Sequence, residues 1–69
     1  MKPAALIRSL KRLATRRDWD FSTSEGGNHT KVTLNGKRTV VGRHAADLKP
    51  GTLRATLKQL GLMPGDLED

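Results

Sequence analysis

His29-Thr30-Lys31-Val32-Thr33-Leu34-Asn35-Gly36-Lys37-Arg38-Thr39-Val40-Val41-Gly42 is the stretch that decides the fold. Two strand-like runs flank Asn35-Gly36. Asn-Gly between such runs is a strong hairpin signal, because a type I′ turn needs positive φ at both central residues. A two-residue loop sets Leu34 opposite Lys37. It follows that Thr33 pairs with Arg38, Lys31 with Val40 and His29 with Gly42. Side chains alternate between faces. Thr30, Val32 and Leu34 then point one way, toward a core, and His29, Lys31, Thr33 and Arg38 point the other way, toward water. Val40 is the misfit on that outer side, and a slip of one residue would reverse the whole assignment.

Upstream, Glu25-Gly26-Gly27-Asn28 reads as a turn. It lacks both GxGxxG and a following Gly-Lys-Ser/Thr, so no nucleotide site is read there. Asp18 to Ser22 alternates, with Trp19 and Phe21 on one face, and reads as a short strand. These two aromatics are the only ones in the chain and read as core anchors rather than base-stacking platforms. Lys2 to Ala14 carries Leu6, Ile7, Leu10, Leu13 and Ala14 at helical spacing, with Pro3 suited to a first turn. Arg8, Lys11, Arg12, Arg16 and Arg17 line the polar side of that helix.

Downstream, Pro50 to Leu60 reads as a second helix. Lys49 stands at its N-cap, and Leu48 and Leu53 form a hydrophobic staple. Leu53, Leu57 and Leu60 form its buried stripe. Gly61 suits the position after the last turn, and Leu62 folds back onto Leu57 as in a Schellman ending. The acidic tail, residues 63–69, is expected to fray.

The order is αβββα, an α+β fold in a single domain over residues 1–69. The economical packing is a three-stranded antiparallel sheet with two helices on one face. The other face stays open and carries His29, Lys31 and Arg38. This is the architecture of double-stranded-RNA-binding domains, which read A-form shape and 2′-hydroxyls.

Charge points the same way. Thirteen Lys and Arg stand against seven acids, a net +6 in 69 residues. Six bases and no acid fall between Lys2 and Arg17. Such a body attracts polyanions, of which nucleic acid is the commonest, although a solubilising surface or an acidic protein partner would give the same balance. There is no cysteine, which removes disulfides and thiolate metal sites and fits a reducing cytoplasm. No apolar run approaches the roughly 20 residues that span a bilayer. The N-terminal apolar run breaks at Arg8, too early for a secretory segment.

His29 follows a glycine turn and opens a strand, with side-chain-free Gly42 opposite, which leaves room for a ligand. RNA carries its own nucleophile, the 2′-hydroxyl. Cleavage needs a base to take that proton, and a neutral imidazole serves at pH 7. Lys31, Arg38 and Arg43 are candidates to stabilise the phosphate charge. His44, two residues past Gly42, is the candidate to protonate the leaving oxygen; the alternative is that it hydrogen-bonds a turn. An ordinary surface histidine is the plain alternative for His29. Two histidines without a carboxylate or cysteine cluster make a poor metal site, and Ser9, Ser22 and Ser24 lie in no nucleophile elbow.

The chain resembles the HicA family of type II toxin–antitoxin systems from about Lys2 to Leu62. The matching segments are Leu6-Ile7-Arg8 with Leu10, Trp19, Gly27-Asn28-His29 with Val32, Thr39-Val40-Val41 with His44, Leu48-Lys49-Pro50-Gly51-Thr52-Leu53-Arg54 and Leu57-Lys58-Gln59-Leu60-Gly61. The resemblance implies a metal- and cofactor-independent mRNA interferase of double-stranded-RNA-binding-like fold, with His29 catalytic. It implies a HicB-type antitoxin partner, usually acidic, that covers His29. DNA binding is expected of the antitoxin rather than of this chain alone. Departures are Asn28 where the family usually has serine, Thr30-Lys31-Val32 where many members have an aromatic, and Gly42 where many have proline. A non-catalytic RNA-binding module and a degenerate, partner-binding toxin are the alternatives.

Overall fold

A computed structural model describes residues 1–43 and 47–67. Helix α1 spans Pro3–Arg17 and is followed by strands β1 (Phe21–Gly26), β2 (His29–Leu34) and β3 (Lys37–Gly42). Helix α2 spans Pro50–Gln59, and a 3-10 turn covers Pro64–Leu67. The αβββα order is the expected one. The strands form one antiparallel sheet in the order β1-β2-β3.

The β2–β3 hairpin has the register read from Asn35-Gly36. His29 faces Gly42, Lys31 faces Val40, Thr33 faces Arg38 and Leu34 faces Lys37. Asn35 (φ 50°) and Gly36 (φ 80°) both occupy the left-handed region that a type I′ turn demands.

Strand β1 differs from the expectation of Asp18 to Ser22. It begins at Phe21 and runs through Ser22-Thr23-Ser24-Glu25 to Gly26. The expected four-residue turn is a two-residue loop, Gly27-Asn28, with Gly26 opposite His29 and Phe21 opposite Leu34. Only Gly27 of the pair has positive φ (60°), the pattern of a type II′ hairpin turn. The physical reason is that β1 lies at the sheet edge. Its middle is polar on both faces, so its bounds follow pairing with β2 rather than hydrophobic alternation.

The core lies on one side of the sheet. Leu6, Leu10, Leu13 and Ala14 of α1 meet Val32 and Leu34 of β2, Val41 of β3, and Leu57, Leu60 and Leu62 at the end of α2. Trp19, Phe21, Leu48, Leu53 and Leu67 pack around this cluster. Both helices therefore cover the same face. Thr39 Oγ1 donates to Gln59 Oε1 at 2.6 Å, which ties β3 to α2.

The two helices end alike. After α2, Leu62 N–H donates to the Leu57 carbonyl (2.8 Å) and Gly61 N–H to that of Lys58 (3.0 Å), a Schellman motif with Gly61 at φ 71°. After α1, Trp19 N–H reaches the Ala14 carbonyl (2.9 Å) and Asp18 N–H that of Thr15 (3.4 Å). Here Asp18 takes the left-handed position, at φ 56°. The Arg17 guanidinium stands 5.1 Å from the centroid of the Trp19 ring.

Fraying was expected of residues 63–69. Of these, Pro64–Leu67 form the 3-10 turn, with Leu67 against the core. Asp66 accepts from Arg17 at 3.1 Å and from the Met63 N–H at 2.9 Å. Residues 68 and 69 lie outside the described residues.

Candidate active site on the open face of the sheet

The uncovered face carries three rows of side chains, set by the two registers. Gly26, His29 and Gly42 form the first row, Ser24, Lys31 and Val40 the second, and Ser22, Thr33 and Arg38 the third. His29, Lys31 and Arg38 are exposed. Val40, the apolar misfit, is 52% exposed among them. Ser22, Ser24, Lys31, Thr33, Arg38 and Val40 line a shallow concavity.

His29 is the one member of its row with a side chain. A Cβ added at Gly26 would meet nothing within 4 Å. The imidazole is thus approachable from the β1 side, a feature of β1 that the sequence reading did not draw on. Lys31 lies one row from His29, about 7 Å along the strand, and Arg38 two rows away, about 14 Å along. The three expected groups thus share a face and lie along a line rather than in a cluster.

Arg43 lies on the other side. Its N–H donates to the Asn28 carbonyl at 2.7 Å, which extends the β2–β3 ladder by one pair. Its guanidinium pairs with Glu25 at 3.2 Å and reaches the Gly27 carbonyl at 3.4 Å. Glu25 also accepts from the fully buried Thr30 hydroxyl at 2.8 Å. Glu25 and Thr30 are a cross-strand pair on the core side, so Arg43 is turned away from the face that bears His29. The three residues clamp the ends of all three strands around the Gly27-Asn28 turn. Sequence reasoning missed this clamp. Its signal is the type II′ register, which alone sets Glu25 opposite Thr30.

His44 lies outside the described residues. Among the described residues no group of His, Cys, Asp or Glu is arranged to hold a metal ion.

Fold and site together define a small basic αβββα protein that presents an imidazole and two cations on one open sheet face. The chain matches the family described as HicA toxin of bacterial toxin–antitoxin over residues 7–62. It is 45% identical over 40 residues to the "Probable mRNA interferase HicA" of Escherichia coli O157:H7, covering 56% of this chain and 69% of that relative. The same figures hold for the "Probable mRNA interferase toxin HicA" of Escherichia coli strain K12. The chain belongs to the HicA toxin family. No solved structure matches it.

Proposed function

We propose that this protein is an endoribonuclease toxin that cleaves mRNA and thereby inhibits translation and growth, acting in the cytoplasm. The observation that carries the reading is His29, exposed between two glycines at the start of a strand, in a chain of a family whose relatives are named mRNA interferases.

In this reading neutral His29 takes the proton of a ribose 2′-hydroxyl. The resulting oxyanion attacks the adjacent phosphorus. The bond to the 5′-oxygen breaks, and the products are a 2′,3′-cyclic phosphate and a 5′-hydroxyl end. Lys31 and Arg38 hold the phosphates on either side of the cut or further along the strand. His44 is the candidate donor of the proton that the leaving oxygen takes up. Arg43 holds the turn through Glu25 rather than the phosphate. No metal or cofactor enters these steps. A HicB-type antitoxin of acidic character would silence the toxin by covering His29, with any DNA binding left to the antitoxin.

The test is induced expression of the native and His29→Ala chains, with growth and total mRNA followed. The native chain is expected to arrest growth, and the variant to lose arrest and cleavage while keeping its fold. Full activity in His29→Ala overturns the assignment of the base. A substrate with deoxyribose at the cut position is expected to resist, and its efficient cleavage would exclude the cyclisation route.

A further inference from the structure

The sheet has two outer edges, one on β1 and one on β3. They are not alike. The β3 edge carries exposed Lys37 and Arg38, charges of the kind that keep strand edges from pairing. The end of α2 also leans on β3, with the Lys37 side chain over Gly61 and Thr39 bonded to Gln59. Strand β1 has no lysine, arginine or proline, and it pairs with β2 along its whole length without a bulge. Ser22 through Gly26 are exposed. Its one charge, Glu25, is drawn to Thr30 and Arg43 on the core side.

The loop register decides which backbone groups this edge presents. Residues that flank a two-residue hairpin loop form a hydrogen-bonded pair, and such pairs alternate along an antiparallel ladder. Gly26, Ser24 and Ser22 therefore turn their N–H and C=O toward β2, while Glu25 and Thr23 turn theirs outward. A ribose-phosphate chain has no donor–acceptor alternation at peptide spacing. Another peptide strand does. On the open face β1 contributes only Ser22, Ser24 and Gly26, which are small or lack a side chain. A residue laid opposite Ser24 would lie about 10 Å from the Lys31 Cα, two strand spacings, a gap that a glutamate and a lysine close together above the serine. Ser22, Thr23 and Ser24 line the same concavity as Lys31 and Arg38, so the concavity extends to this edge. Charge selects the kind of strand, since the charged side chains of that concavity, Lys31 and Arg38, are both cations.

We propose that the outer edge of β1 takes up an extended acidic segment of a partner protein as a fourth strand, with a carboxylate reaching over Ser24 to Lys31. The next side chain of that segment on the same face then covers the row of Gly26 and His29. The proposal rests on the reading that an acidic partner silences the chain at His29, and it supplies the mode of contact.

The test uses the full chain and a synthetic peptide of about 12 residues that alternates glutamate with threonine, long enough to span β1. A lysine–threonine peptide of equal length is the control. Amide hydrogen exchange by NMR reads the contact, and RNA cleavage is assayed in parallel. With saturating acidic peptide the Thr23 and Glu25 amides should exchange about tenfold more slowly, and cleavage should fall with occupancy. The lysine peptide should bind at least tenfold more weakly. Thr23→Pro removes an outward N–H at a position where an edge strand tolerates proline. It should weaken binding at least tenfold with the β1–β2 ladder kept. Thr23→Val keeps the N–H and should bind as the native chain does. No binding, unchanged exchange at Thr23 and Glu25, or equal binding by Thr23→Pro would overturn strand addition; the exchange result on the native chain decides even if the proline variant unfolds. Equal binding of the two peptides would overturn the acidic partner. Cleavage blocked without slowed exchange at these amides would place the peptide on the sheet face instead of its edge, and would overturn the proposal as well. Slowed exchange with undiminished cleavage would sink the reading that such a partner silences the chain, and leave the edge site standing.

Discussion

At the scale of single residues, the site depends on what is absent beside His29 and on what is present beneath it. Gly26 and Gly42 flank the imidazole across the sheet. Gly26 has open space at its Cβ position and no left-handed φ. Gly26→Leu should therefore fold, fill the gap and lower cleavage at least tenfold with little change in melting temperature; undiminished turnover would show that the space is not used. Beneath the turn, the Thr30 hydroxyl on Glu25 and Glu25 on Arg43 hold the chain on both sides of His29. Thr30→Val keeps the shape and removes the donor. Glu25 is partly solvated and can rehydrate, so the expected loss is about 1 kcal/mol. In a domain this small that lowers the melting temperature by about 4–8 °C. An unchanged melting temperature would mean the hydroxyl holds nothing.

At the scale of elements, local chemistry was legible wherever a backbone position demanded a particular residue. Asn35-Gly36 gave the β2–β3 register pair by pair, because only left-handed residues close a type I′ turn. Gly61 and Leu62 gave the end of α2, because the Schellman bonds need that conformation. Edge strand β1 was not legible from alternation. Ser22-Thr23-Ser24-Glu25 has no apolar period, so Trp19 and Phe21 pulled the reading upstream, by three residues at the start of the strand and four at its end. Its true bounds come from the β2 partner, a tertiary determinant. The end of α1 was placed at Ala14 instead of Arg17, because the left-handed residue that stops it is Asp18 rather than glycine. Two opposite substitutions follow from these turns. Asp18→Gly relieves a left-handed Asp and should stabilise by about 0.5–1 kcal/mol. Gly36→Ala forces a Cβ into φ 80°, where no atom lies within 4 Å to clash. Its loss is backbone strain alone, about 1–2 kcal/mol. Urea melts should show the midpoint moving up for the first and down for the second, at unchanged m-value.

At the scale of the whole molecule, stability and chemistry occupy opposite sides of one sheet. The buried leucines and valines sit between the sheet and its helices, while His29, Lys31 and Arg38 stand on the bare face. Among the described residues no helix is long and apolar enough to cross a membrane. This division lets the two properties be changed separately. Leu34 is fully buried, and Leu34→Ala should remove about 2–5 kcal/mol. A chain this short holds only about 3–10 kcal/mol in total, so that variant should lose activity by unfolding, with temperature-dependent recovery on cooling. Lys31→Gln plus Arg38→Gln touches no packed atom and should change stability by less than about 0.5 kcal/mol per residue. It removes two phosphate contacts, so kcat/KM for RNA should fall about tenfold at 0.15 M salt, with the loss shrinking as salt is raised. A loss of kcat/KM that is insensitive to salt would mean the two cations act on the reacting phosphate at close range. No loss at any salt would mean the RNA does not run along β2 and β3, and the open face would then need another occupant.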